Sequence, residues 1–191
     1  MALLIIGLVL FLGVHSVAIV APALRARMIH RLGEGAWKGL YALISLVGFV
    51  LICYGFGVAR EAPVVLYSPP IWLRHVALIL MLPVFPLIVA AYLPGRIKTA
   101  AKHPMLAAVK LWAFAHLLAN GLLADVLLFG AFLAWAVVDR ISLKRRSTPQ
   151  LLRTAPPRPL NDVISVVLGL AIYALVIGWA HVRLFGVSPL P

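Results

Sequence analysis

Six long apolar runs, at residues 2–20, 39–58, 71–93, 105–119, 121–138 and 163–182, leave this chain little choice of solvent. Most approach the ~20 residues that a helix needs to cross a hydrocarbon core about 30 Å thick. In lipid the backbone satisfies its own hydrogen bonds within each segment, so such runs fold as helices. Of 191 residues, 64% are hydrophobic and 12% charged, whereas an average soluble domain is roughly half apolar and a quarter charged. A water-soluble fold of this length could not bury so much apolar surface. The expected fold is all-α, a single polytopic membrane domain over residues 1–191 with about six transmembrane helices.

The gaps between the runs carry helix breakers and charges. Pro22 and Gly33-Glu34-Gly35 fall in the first gap, Pro63 and Pro69-Pro70 in the second, and Pro94-Gly95 opens the third. Residues 140–161 form a basic loop with Pro149, Pro156, Pro157 and Pro159, read as a solvated cytoplasmic linker that touches anionic lipid. The last helix is expected at about 163–185. Pro83 and Pro86 should kink the third run, which membrane helices tolerate. The first run is followed by Ala21-Pro22-Ala23 but preceded by no Lys or Arg. It is also longer than a signal-peptide core, so it reads as a retained helix.

Residues 105–138 are too long for one span and contain Asn120-Gly121, a helix stop. Split there, the stretch forms a hairpin with a short first arm and the chain has six spans. Left whole, it gives five. The basic residues decide. With six spans one side holds Arg25, Arg27, Arg31 and Lys38; Arg96, Lys98, Lys102 and Lys110; and Arg140, Lys144, Arg145, Arg146, Arg153 and Arg158. Those are fourteen of the 17 basic residues, against Arg60, Arg74 and Arg183 on the other side. The positive-inside rule then places both termini outside. The same rule accounts for the net charge of +12 without nucleic acid as a partner; the partner the composition does imply is the lipid bilayer.

Ionisable groups at membrane depth are costly and usually face the protein interior or a site. His15 lies in the first run, followed by Ser16. His116 lies in the fourth, one turn after Trp112 and one turn before Asn120. His75 sits near the outer end of the third run and His103 at the inner mouth of the fourth. His30 falls in a loop and His181 near the last interface, where a structural role dominates. Two intramembrane imidazoles on different helices are suited to one metal or one haem iron. A lone membrane histidine equally serves as a hydrogen-bonding tie between helices. At about 1.5 Å per residue, His15 is roughly 20 Å from the outer end of its helix, while His116 and His75 are each roughly 5–6 Å from theirs. Depth alone pairs His116 with His75.

Cys53 is the only cysteine, so no intrachain disulfide forms, and a packed thiol is expected. Glu34, Glu61, Asp125, Asp139 and Asp162 are the only acids, too few for a carboxylate-rich metal site or paired-carboxylate catalysis. Asp125 lies well inside a span, where a histidine or Arg74 would lower its cost. Trp72, Trp135, Trp179, Tyr41, Tyr67, Tyr92 and Tyr173 read mostly as interfacial anchors. Trp112 is deeper, on the face of His116. No phosphate-binding loop, dinucleotide fingerprint or HExxH motif occurs.

The segment from Lys102-His103-Pro104-Met105 through Val109-Lys110-Leu111-Trp112-Ala113-Phe114-Ala115-His116-Leu117-Leu118-Ala119-Asn120-Gly121 resembles the central motif of the NnrU family. So do Gly13-Val14-His15-Ser16 and Gly33-Glu34-Gly35-Ala36-Trp37-Lys38-Gly39-Leu40-Tyr41. The likeness runs over roughly residues 1–140. It implies a bacterial inner-membrane protein linked to denitrification, where such proteins serve nitrite and nitric oxide reductase expression or activity, with respiratory membrane proteins as partners. The family is similar to the plant zeta-carotene isomerase, a membrane enzyme that uses haem b. Its ligand histidines, in an early His-Ser motif and a Trp-x-x-x-His motif, carry over to His15 and His116. From the residues alone, Trp112 and Asn120 on the face of His116 could line a flat cofactor, core packing being the alternative for Trp112, and His75 and His103 are the next ligand candidates.

In the isomerase a cysteine stands three residues before the second histidine as an alternative ligand. Here that position is Ala113, so the proposed ligand exchange could not operate in the same way. The His-Pro pair also resembles isoprenylcysteine-type methyltransferases, but residues 163–191 hold only Arg183 and no acid. Three readings follow: a haem b protein for redox sensing or electron transfer, a haem-dependent polyene isomerase, and a cofactor-free assembly factor for respiratory complexes.

Overall fold

The structure is a computed structural model that describes residues 1–145, 156 and 158–190. Its helices are α1 (Ala2–Val20), α2 (Pro22–Leu32), α3 (Glu34–Glu61), α4 (Trp72–Met81), α5 (Val84–Tyr92), α6 (Arg96–Ala101), α7 (Pro104–Ala119), α8 (Leu123–Arg145), α9 (Pro159–Leu175) and α10 (His181–Phe185), the last two joined by a π-helical turn at Val176–Ala180. Among the described residues no strand forms, only an isolated bridge between Val65 and Leu122. The protein is an all-α polytopic membrane bundle. Five segments are long and apolar enough to cross a bilayer: α1, α3, α4 with α5, α8, and α9 through α10. The sixth apolar helix, α7, has 16 residues, roughly 24 Å at about 1.5 Å per residue.

The helices stop where the sequence signals a stop. Residues 105–138 break at Asn120, whose backbone is extended at φ −132° and ψ 136°. The third run breaks at Leu82-Pro83, between α4 and α5. Gly33 closes α2 at φ 82°, a left-handed conformation that glycine adopts without strain. Pro22, Pro104 and Pro159 each occupy a first helical turn, where a missing N–H costs nothing.

Several boundaries differ from the sequence expectation. The first gap is not a loop: α2 fills most of it. Helix α6 occupies the third gap. Helix α8 continues past 138 to Arg145, and α9 begins at Pro159, so both described ends of the 140–161 stretch are helical. Arg146, Arg153, Pro149 and Pro157 of that stretch lie outside the described residues. Cys53 is exposed on α3 rather than packed.

Two compact units can be described, each by itself. The first comprises residues 1–67 and 122–143 and holds α1, α2, α3 and most of α8. Glycines let α1 and α3 approach backbone to backbone. A Cβ on Gly7 would fall 2.6 Å from the Ile52 nitrogen, and one on Gly48 would fall 2.7 Å from the Phe11 nitrogen. Gly55 meets Leu4 in the same way. Small residues at such contacts are how membrane helices gain dispersion energy when lipid is as apolar as the partner helix. Beyond α3, the Leu123 N–H donates to the Val64 carbonyl at 2.8 Å, and the Leu122 N–H donates to the Asp125 carboxylate at 3.1 Å.

The second unit comprises residues 68–121 and 144–191. Here α5 packs on both α7 and α9, and α4 on α7. At the Pro83 break the Leu82 N–H donates to Ile79 rather than to Leu78. The Leu78 carbonyl that this releases accepts the Tyr173 hydroxyl at 2.9 Å, the kind of substitute partner a broken membrane helix requires. Opposite the break, Gly169 leaves room for the Pro86 ring.

A second clamp secures the turn after α5. The Pro94 carbonyl accepts the Asn161 side-chain amide at 2.7 Å and the Arg158 N–H at 3.1 Å. The Asp162 carboxylate caps α6, accepting the Arg96 and Ile97 N–H groups at 3.0 Å each. A side chain on Gly95 would collide with that carboxylate.

Two expectations follow for unfolding in detergent. Gly7→Ala and Gly48→Ala force the backbones of α1 and α3 apart and should each lower stability by about 1–3 kcal/mol, while Gly57→Ala, with nothing within 4 Å of its Cβ, should leave it unchanged or slightly higher. Asp162→Ala uncaps α6 and should cost about 1–2 kcal/mol. Denaturant midpoints of the purified protein check both.

Candidate functional site

His15 sits near the end of α1, half-buried in the first unit. Its Nδ1 lies 2.6 Å from the Phe11 carbonyl oxygen. A carbonyl only accepts, so Nδ1 carries the hydrogen and the basic lone pair is on Nε2. Helical spacing brings Phe11 under the imidazole, with ring centroids 4.3 Å apart in a stacked arrangement. Tyr41 of α3 stands 5.1 Å away and Trp135 of α8 meets the ring edge-on at 6.0 Å. The adjacent Ser16 hydroxyl is spent on its own helix, donating to the Leu12 carbonyl at 2.6 Å.

Two polar atoms of this unit are buried without a hydrogen-bond partner among the described residues: Ser45 Oγ and Trp135 Nε1. Ser45 lies one turn along α3 from Tyr41. A buried donor left unmade costs about 1–3 kcal/mol, so an unsatisfied indole N–H beside a histidine is a reason to look for a ligand there. His15 also borders a cavity of about 290 Å³ between α1, α2 and the start of α3. Its walls are aliphatic, from Val14, Val17, Ala18 and Ile29. Arg25, Glu34 and Lys38, all exposed, and the half-buried Trp37 and Tyr41 complete its lining.

His116 is in the second unit, one turn before the end of α7. Its Nδ1 lies 2.8 Å from the Trp112 carbonyl, which again fixes the hydrogen on Nδ1 and the lone pair on Nε2. The Trp112 and His116 rings are 5.4 Å apart and tilted by 54°. Asn120 works on the backbone: both its N–H and its side-chain amide donate to the His116 carbonyl, at 2.9 Å each. It ends the helix that carries the histidine. His15 and His116 belong to different units, and each is described within its own.

The remaining candidates differ in surroundings. His75 is exposed on the first turn of α4. His103 is half-buried and is the N-cap residue of α7. His30 is exposed on α2. His181 repeats the Nδ1 wiring, 2.7 Å from the Val187 carbonyl, with Phe185 at 4.9 Å. Asp125 is 6% exposed and finds its partner in the Leu122 N–H, with Arg60 as the nearby cation. Burial first, then the field of Asp125, push the phenol of Tyr67 above its ordinary value. Among the described residues no group of three or more His, Cys, Asp or Glu side chains could hold a metal ion.

Tyr41 and Trp135 read from the sequence as interfacial anchors; the structure sets them against His15. Tyr41 closes the Gly33–Tyr41 stretch that already stood out. Trp135 gave no signal, because nothing in the chain order tells that α8 brings it to α1.

The sequence profile of the family described as NnrU protein matches residues 3–189. The match takes in the last helix, beyond the roughly 140 residues over which the motifs are legible. No curated protein and no solved structure matches the chain.

Asn120→Ala removes one of the two hydrogen bonds to the His116 carbonyl. It should cost about 1 kcal/mol of stability, read from the denaturant midpoint, with helical content unchanged by circular dichroism.

Proposed function

This chain belongs to the NnrU family over nearly its whole length, and from that premise we propose that it is a haem b-binding protein of the bacterial inner membrane, acting in denitrification by redox sensing or electron transfer. His15 and His116 would hold the iron in this reading. One observation carries it. Each histidine donates Nδ1–H to the carbonyl four residues before it, at 2.6 and 2.8 Å, so each holds a fixed tautomer whose basic nitrogen is Nε2. Metal-bound imidazoles are wired in this way, with the second nitrogen donating to a carbonyl that orients the ring and raises its basicity.

The surroundings fit a flat apolar cofactor. Phe11, Tyr41 and Trp135 ring His15, and Trp112 flanks His116. The unsatisfied indole N–H of Trp135 offers a donor beside the first histidine. Haem would supply a one-electron couple whose potential the two imidazoles and the low-dielectric bundle would set. The chain's own residues orient the ligands and keep water from them. Charge distribution supports an orientation with both termini outside, and the partners in this reading are denitrification or other respiratory membrane proteins.

The polyene-isomerase reading draws less support. Where the plant enzyme has its alternative thiolate, this chain has Ala113, which is fully buried at 0% exposure. A packed methyl group leaves no room for ligand exchange at that position.

Purified protein supplemented with haem should show a Soret band and a b-type pyridine haemochrome. His15→Ala and His116→Ala should each abolish or shift it, while His75→Ala should not. Absence of the band in the parent protein overturns the cofactor reading. A band that survives both ligand variants and disappears in His75→Ala overturns the ligand choice alone.

A further inference from the structure

We propose that the cavity between α1, α2 and the start of α3 binds the phosphate headgroup of an anionic phospholipid, with Arg25 as the anion's main partner and an acyl chain lying along α1. The cavity lies where one spanning helix ends and the next begins, with α2 between them. Headgroups occupy that level.

Helix α2 has the make-up of an interfacial helix. Leu24, Met28 and Leu32 recur at every fourth position, with Arg31 at the edge of that stripe and Arg27 and His30 further round the helix. Leu24 and Leu32 are 45% and 47% exposed, so this stripe is turned outward and not into the protein. Arg25, itself exposed, and the half-buried Ile29, one turn on, line the cavity together. The cation and part of the apolar wall therefore come from the same surface helix.

Charge selects the ligand. Lys38 is held by Glu34 at 2.7 Å, which cancels that pair. Arg25 makes no ion pair within 4 Å among the described residues, although its charge reaches Glu34, and its guanidinium fork matches two phosphate oxygens. Val14, Val17, Ala18 and Ile29 form a wall with no polar side chain. Trp37 and Tyr41 also line the cavity, the residue types that favour the membrane boundary. A volume of about 290 Å³ admits a headgroup and the first part of one chain, not a whole lipid. The cavity borders His15, yet the two readings are tested separately: absence of a Soret band leaves the lipid site standing, and failure of the lipid site leaves the Soret band unaffected.

Native mass spectrometry of the full-length protein, released from nanodiscs of phosphatidylglycerol or of phosphatidylcholine with matched chains, tests the site. One phosphatidylglycerol per chain should be retained in preference to phosphatidylcholine. Arg25→Gln should lower that retention about tenfold, and Arg25→Lys should restore part of it. Arg27→Gln, which removes an equal charge from another face of the same helix, should have no effect. Glu34→Gln removes a repelling carboxylate and releases Lys38, so it should raise retention, a gain that a merely destabilised fold would not give.

Equal losses in Arg25→Gln and Arg27→Gln mean diffuse attraction to the bilayer and overturn the proposal. So does equal retention of the two lipids. Displacement of the lipid on adding haem assigns Arg25 to the cofactor's carboxylates instead, and overturns it as well.

Discussion

Every interruption of a helix within this bundle must find a new partner for the backbone groups it exposes. Within the hydrocarbon, as at Pro83, water is not available to supply one, and an unsatisfied amide there costs several kcal/mol. The breaks are accordingly well bonded. Pro83 releases the Leu78 carbonyl, and Tyr173 takes it. Pro94 ends α5, and Asn161, Arg158 and Asp162 close over the turn that follows. Asp125 binds the Leu122 N–H and Asn120 the His116 carbonyl. Residues that look like scarce, expensive polar groups in the sequence are in large part the fixings of broken helices.

That use of polar residues bears on how the histidines are read. An imidazole that ties two helices together donates or accepts across the gap. His15 and His116 do otherwise with Nδ1: each bonds within its own helix, to the carbonyl four residues back. Those carbonyls already accept helix bonds and did not need another donor. The gain is in the ring, which is held in one tautomer and one orientation. Asp125 is the counter-example. Its carboxylate serves the turn that begins α8, beside Arg60, and its burial has a structural account that needs no cofactor.

The helical membrane fold was legible because hydropathy and basic-residue placement report on the solvent, which acts on every residue. The break at Asn120 and the kink at Pro83 were legible because they depend on residues with restricted backbones. The surface helix α2 was missed although its signal was present: Pro22 as a starting residue, and Leu24, Met28 and Leu32 spaced one turn apart. Four basic residues between 25 and 38 give the same segment the composition of a loop. The surroundings of His15 were legible only in part. Phe11 follows from helical spacing, and Tyr41 lies in a motif. Trp135, Ser45 and the Asp162 cap depend on which helices pack, which pair counting along a chain does not give. Cys53 was misjudged because position in an apolar run does not tell a packed face from a lipid face.

Depth arithmetic paired His116 with His75, whereas the motifs paired it with His15. The arithmetic treats each helix as a straight rod with its ends at the membrane boundary. Here α3 runs 28 residues and α7 only 16, so rods of equal depth are a poor description of this bundle. Exposure separates the two candidates better. His75 lies outward on the first turn of α4 with Trp72 and Arg74, all exposed, as an interfacial turn does. His15 is half-buried among three aromatic rings, beside a buried indole N–H with no partner among the described residues. An exposed imidazole can remain solvated at little cost. One that is half-buried, oriented and ringed with aromatic side chains carries a cost that a bound ligand would offset.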